Sequence, residues 1–144
     1  MSKDLWWVAT QDRATNNNNN EKLILVDNDT YTVSKRFWAF AQYSRTIRPK
    51  AVRVGVSSAG GGGASLRTTA FLNGDGSVAV NVINTGTGAV TLSVAGVKAA
   101  AAKGWKTDGS NDMTEIAVTV GTDGTVSGVS VPGRGLTSVV IRTS

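Results

Sequence analysis

Carboxylates are the only residues in this chain with the chemistry of a hydrolytic centre. There are two glutamates, Glu21 and Glu115, and eight aspartates, with no histidine and no cysteine. Acid/base work by carboxylates needs two of them held close together, one to give a proton and one to accept it. Glu21 follows a run of five asparagines and Glu115 opens an alternating segment, so no local spacing pairs them. Asp27, Asp29, Asp75, Asp108 and Asp123 stand among Asn, Gly and Thr, where turn and capping duty accounts for them. Without histidine there is no base for a Ser-His-Asp device and no copy of the commonest zinc ligand. Without cysteine there is no thiolate nucleophile, disulfide or thiolate metal site. The residues therefore assign no catalytic group, and neither a metal nor a cofactor is expected.

Aromatic side chains offer a second kind of chemistry, because sugar C–H faces stack on aromatic rings. Trp6 and Trp7 alternate across an apolar run, so one ring can face a core while its neighbour faces a cleft. Trp105, between Lys103 and Lys106, either stacks a glycan or caps a core. The run "AGGGGAS" at 59–65 lacks the lysine and helix of a phosphate loop and reads as a tether. "NDT" at 28–30 fits the glycan-acceptor pattern. The net charge is +5, yet only 17% of residues are charged and the basic ones are spread along the chain. That distribution suits a solvated surface and argues against a nucleic-acid partner.

These residues must be positioned by a fold that one domain's length allows, since 144 residues bury roughly 70% of their unfolded surface. "LWWVAT" and "KLILV" are short apolar runs flanking a polar loop, too short for a membrane span or a signal-peptide core. The stretch "YTVSKRFWAFAQYSRTIRP" at 31–49 is the one long helical pattern. Thr32 or Ser34 caps it, Val33, Phe37, Phe40, Ala41, Ser44 and Ile47 form its stripe, and Pro49 ends it. Trp38 and Tyr43 lie off the stripe, which gives the helix aromatic surface on two faces. From residue 51 the period falls to two, in about eight segments from "AVRVGVSS" to "LTSVVIRTS". "NGDG", "NTGTG" and "GTDG" supply positive-φ turns between them. The expected fold is mainly β, an antiparallel β-sandwich of about eight strands with one N-terminal amphipathic α-helix.

In this order, "WWVATQD", "LILVDNDTYTVSKRFWAFAQYSRTIRP", "AVRVGVSS", "LNGDGSVAVNVINTG" and "VSVPGRGLTSVVI" resemble the C-terminal part of glycoside hydrolase family 30. The similarity is greatest to its fungal endo-β-1,6-galactanase and xylanase-like members. That family builds a (β/α)8 barrel whose chain continues into a side β-sandwich. The resemblance implies that "LWWVAT" is the eighth barrel strand and residues 33–47 the eighth barrel helix. It divides the chain into 1–50, a barrel remnant packed on the sandwich, and 51–144, the sandwich itself. The family's two catalytic glutamates, on barrel strands four and seven, would precede Met1, so the chain alone is not expected to be an enzyme.

The resemblance also implies a carbohydrate site. A tryptophan ending the eighth strand walls the substrate cleft, which favours Trp7, with Trp6 as the alternate and Asp12 the best-placed aspartate. Its ligand would be a β-linked oligosaccharide or polysaccharide. The aromatic helix face, Phe37, Trp38, Phe40 and Tyr43, is expected to meet either a missing barrel segment or a second copy in a homodimer. A family 30 parent would be secreted, although no export signal is visible here. The residues leave open a noncatalytic module, a stand-alone lectin-like protein and a basic interaction protein.

Overall fold

Residues 8–15, 22–59 and 65–143 are described by a computed structural model, in which they are mainly β with one α-helix. The first elements are β1 (Thr10–Asp12), β2 (Ile24–Asp27) and β3 (Thr30–Val33), which form a small sheet with β1 parallel to β2. The helix α1 (Lys35–Thr46) follows. Then come β4 (Val52–Val54), β5 (Leu66–Leu72), β6 (Val78–Asn84), β7 (Val90–Val94) and β8 (Ala99–Thr107). The last strands are β9 (Thr114–Ile116), β10 (Thr119–Val120), β11 (Val126–Val131) and β12 (Gly135–Thr143).

The alternating segments make a sandwich of unequal sheets, six strands in the order β4-β5-β6-β12-β8-β9 against three in the order β10-β11-β7. That is nine strands where about eight were expected. The extra one arises because "TEIAVTVGT" divides into β9 and β10, which belong to different sheets. Val80, Val82, Val139 and Ile141 from the larger sheet pack on Val126, Val129 and Val131 from the smaller. Each such burial contributes on the order of 1.5–3 kcal/mol. The Thr137 hydroxyl donates to the Ser130 carbonyl at 2.8 Å and ties the two sheets through a polar bond.

Alternation in "VAVNVIN" implies one buried face and one mixed face, and the second is mixed, with Ala79 and Asn81 fully buried and Ile83 exposed. The reason is the helix, which lies across the outer face of the larger sheet, over β12 and β8. The helix itself starts later than its apolar stripe implied. Tyr31–Val33 belong to β3, drawn into a hairpin with β2 in which Val26 faces Tyr31 and Ile24 faces Val33. Ser34, not Thr32, is the cap, its hydroxyl accepting from the Phe37 amide at 3.2 Å. Of the expected "LWWVAT" strand, residues 5–7 lie outside the described residues, and the first described strand begins at Thr10.

The side of α1 pressed on the sheet is polar. Gln42 is fully buried, and its amide nitrogen donates to the Trp105 carbonyl (3.0 Å), the Leu136 carbonyl (3.4 Å) and the Ser138 hydroxyl (2.9 Å). Its carbonyl oxygen accepts from the Thr107 hydroxyl at 2.7 Å. One turn later the Thr46 hydroxyl, also buried, approaches Asn81 Oδ1 at 3.2 Å, and Ser138 donates to the same oxygen. The Asn73 amide then holds the helix end, donating to the Thr46 carbonyl at 3.0 Å and accepting from the Arg48 amide at 2.9 Å.

Turns bear out two of the three glycine expectations. Gly76 and Gly124 have φ of 81° and 82°, in hairpins where Asp75 and Asp123 accept from the chain two residues on. The turn at 84–88 uses no positive-φ residue, because the Asn84 side chain holds it by accepting from Gly86 N and donating to Gly88 O, both at 2.9 Å. Donors from the Ser77 hydroxyl and amide hold the Asp75 carboxyl below the usual carboxylate range. The Thr125 amide and hydroxyl do the same for Asp123. At Asp108 partial burial pushes upward, and donors from Asn111 and Ser110 outweigh it to leave a net depression.

Two outcomes follow. Gln42→Leu keeps the volume but strands the Thr107 hydroxyl and the Ser138 partner, and should cost ~2 kcal/mol, read as a lower urea midpoint at unchanged slope. A group with depressed folded-state pKa stabilises the fold above its unfolded value and loses that contribution as pH falls through the folded value. With no histidine to titrate, the urea midpoint should stay nearly level from about pH 8 to 5 and drop below about pH 4. Asp75→Asn with Asp123→Asn should flatten that acid limb.

Candidate functional site

The bolted helix presents side chains to three clefts. At its N-terminal end Phe37 and Trp38 meet edge to face, with centroids 5.2 Å apart and planes at 89°. With Ile24, Val26, Tyr31 and Val33 they line a shallow, mostly apolar depression of about 650 Å3, and Tyr31 is 72% exposed. The small sheet is joined to the helix there by the Ser34 amide, which donates to the Leu23 carbonyl at 2.9 Å. Tyr43 faces away from this group, toward Ile83, Leu136 and Arg134 in a second cleft of about 450 Å3. The four aromatic residues expected at one interface are thus divided. Phe37 and Trp38 share a surface, Tyr43 takes another flank, and Phe40 is half-buried on the same helix.

At the other end of α1 a cleft of about 470 Å3 opens over the outer face of the six-stranded sheet. Strand register explains its floor. Trp105 faces Ser138 on β12 and Glu115 on β9, while Lys103 faces Val140, so Trp105, Lys103 and Glu115 emerge on the helix side of the sheet. Arg45, in the last helical turn, places its guanidinium 5.5 Å from the centroid of the Trp105 ring, a cation–π contact. One face of the indole is therefore covered by a cation, and a sugar has at most the other face to stack on. Arg48, Asp75 and Arg142 complete the rim.

Asp75 and Glu115 both line this cleft, which raises the question of a hydrolytic pair. Retaining chemistry needs one carboxyl kept protonated by its surroundings. Asp75 has the opposite environment, its Oδ1 accepting from the Ser77 hydroxyl at 2.6 Å and the Ser77 amide at 3.0 Å. These donors favour the ionised carboxylate, so Asp75 does not serve as the protonated member of such a pair.

Asp12 ends β1 and is exposed, its Oδ1 accepting from the Ala14 amide at 2.7 Å. It belongs to the small sheet and is not among the residues that line the Trp105 cleft. Trp6, Trp7 and Glu21 lie outside the described residues. Among the described residues no group of three or more acidic side chains is placed to hold a metal, and no helix is long and apolar enough to cross a membrane.

Sequence reasoning overlooked Gln42, Thr46, Asn73 and Asn81, the residues that fix the helix, and the grouping of Arg45 and Arg48 with Lys103 and Arg142. One signal was present. Asn81 sits in the middle of "VAVNVIN", where a buried amide demands a partner from another element.

Residues 50–139 match the model of the glycosyl hydrolase family 30 beta sandwich domain. The structure is similar to the catalytic domain of a family 30 xylanase C from Talaromyces cellulolyticus, with 33% identity and a TM-score of 0.82 over 95% of this chain and 30% of that one. It is also similar to a family 30 endoxylanase from Clostridium papyrosolvens C71, with 26% identity and a TM-score of 0.67 over 78% of this chain and 28% of that one. A family 30 subfamily 8 xylanase from Clostridium acetobutylicum shares the fold at 20% identity, with a TM-score of 0.70 over 86% of this chain and 32% of that one. The chain therefore spans about a third or less of these enzymes. A family signature across 90 residues, carried on a sandwich capped by an aromatic helix, means that the chain belongs to glycoside hydrolase family 30, whose C-terminal β-sandwich domain it contains.

Proposed function

We propose that this chain acts as the noncatalytic β-sandwich module of a family 30 glycoside hydrolase, supporting a barrel that carries the catalytic carboxylates and accompanying recognition of a β-linked glycan. One observation carries the reading: α1 is fixed to the sandwich by buried amide and hydroxyl bonds, while Phe37 and Trp38 at its other end are half-buried beside an exposed Tyr31. Such a helix belongs between two layers. The sandwich is one layer, and the barrel of the same enzyme is the other, bedded on Phe37, Trp38 and the β2–β3 hairpin. Trp7, or Trp6 in its place, then borders the substrate cleft with Asp12 nearby, and the domain division falls near residue 50. Such an enzyme is secreted and acts on xylan-like or β-1,6-linked galactan polymers.

A second reading, a glycan-binding protein without the barrel, draws on Trp105 and its polar cleft. In that case the apolar depression at Phe37 and Trp38 is covered by a second copy.

Co-expression with the barrel portion of the Talaromyces xylanase tests the first reading. The chain should co-purify with the barrel, and Phe37→Ser with Trp38→Ser should abolish co-purification while the β-rich circular dichroism persists. The purified chain alone should release no reducing ends from β-linked xylo- or galacto-oligosaccharides. Turnover by the chain alone would sink the noncatalytic assignment, and a sedimenting dimer dispersed by the same substitutions would favour the second reading.

A further inference from the structure

The pattern Asn-x-Ser/Thr occurs once in the chain, at Asn28-Asp29-Thr30. Such a triplet accepts an N-linked glycan where it lies at the surface of a secreted protein. The fold puts it at the tip of the β2–β3 hairpin, with Asn28 and Asp29 as the turn and all three residues exposed. Asn73, Asn81 and Asn84 have the opposite placement, buried and committed to the helix junction or a turn. Asn28 has a φ of 51°, in the left-handed region that asparagine tolerates better than most residues. Its amide nitrogen donates to Asp27 Oδ1 at 3.3 Å, and Asp27 is itself paired with Arg13. A primary amide carries two N–H groups, so the turn keeps this bond when the other proton is replaced by a sugar. The Thr30 hydroxyl, which the acceptor pattern requires, is exposed and donates to the Asp27 carbonyl at 2.9 Å.

We propose that Asn28 is a site of N-linked glycosylation. Its Nδ2 displaces pyrophosphate from the anomeric carbon of a lipid-pyrophosphate-linked oligosaccharide. The C–N bond forms, the C–O bond to pyrophosphate breaks, and one amide proton leaves. The glycan then stands at the rim of the depression that holds Phe37 and Trp38, because Asn28, Asp29 and Thr30 also line it. A barrel seated there bears on the aromatic pair and the strands of the hairpin, and the tip stays in solvent. The proposal rests on the secreted family 30 reading given above and adds a covalent modification to it.

Secretion of the 144-residue chain from yeast behind a supplied signal peptide tests it, read by intact mass and glycopeptide sequencing. The supplied signal makes the result independent of whether the parent enzyme is exported. Occupancy is read in the membrane fraction of the cells as well as in the medium, so poor export does not hide it. One glycan per chain is expected, on the peptide that contains Asn28. Thr30→Ala should abolish it while keeping the asparagine in the turn, Asn28→Gln should abolish it too, and Thr30→Ser should retain it. An endoglycosidase added to the folded protein should remove the glycan and leave the circular dichroism unchanged. An unmodified Asn28 in both fractions would overturn the site while leaving the module reading intact. A glycan released only after denaturation would overturn the solvent-facing placement of the tip.

Discussion

A single primary amide sets the geometry of this molecule. Gln42 is removed from water at the helix–sheet junction, and its nitrogen and oxygen together engage Trp105, Leu136, Ser138 and Thr107 from two neighbouring strands. An apolar residue there would allow α1 to slide or rotate over the sheet with little penalty, because hydrophobic contact is non-directional. A buried amide does not allow it. Any displacement of about an ångström breaks bonds that no water replaces, and each stranded group costs on the order of 1–3 kcal/mol. Thr46 repeats the constraint one turn on and Asn73 repeats it at the helix end, so translation and rotation are both fixed.

Everything the helix displays follows from that fixing. With Gln42 down, Arg45 is carried over the Trp105 ring, and Lys35 reaches Asp112 at 2.6 Å in the loop between β8 and β9. The exposed ion pair contributes little to stability, about 0–1 kcal/mol, but the cation–π contact orders a side chain whose donors face a cleft. Phe37 and Trp38 are turned toward the small β1–β3 sheet. The buried network is also incomplete, since Asn81 Nδ2 and the Thr69 hydroxyl, neighbours across β5 and β6, are buried without hydrogen-bond partners.

The sandwich was legible because its code is local. Period-two alternation and paired turn residues need only a few neighbours to be read, and they located the strands and the hairpins at Gly76 and Gly124. The helix was harder, since its buried side is written in Gln42 and Thr46, which look like surface residues. Its apolar stripe ran back to Val33, a β-branched residue that pairs as a strand once Ile24 is opposite it. The cleft at Trp105 was illegible for a different reason. Its cations come from residues 45, 48, 103 and 142, and only the pairing of β8 with β12 under the end of α1 brings them together.

That pairing has a functional implication for how such modules diversify. Trp105 and Arg142 project from strands whose backbones are fixed by the ladder between β8 and β12, whereas Arg45 comes from a helix fixed by Gln42. The cleft is thus framed by two rigid elements and shaped by side chains outside the Val80–Val129–Ile141 core. Substitutions among Arg48, Lys103 and Arg142 alter the charge of the cleft without disturbing core packing, since these side chains are exposed. A substitution at Gln42 has the opposite character, moving Arg45 and the aromatic end of the helix together. The charge of the cleft and the placement of the helix are therefore separately adjustable, because one is set by exposed cations and the other by a desolvated amide.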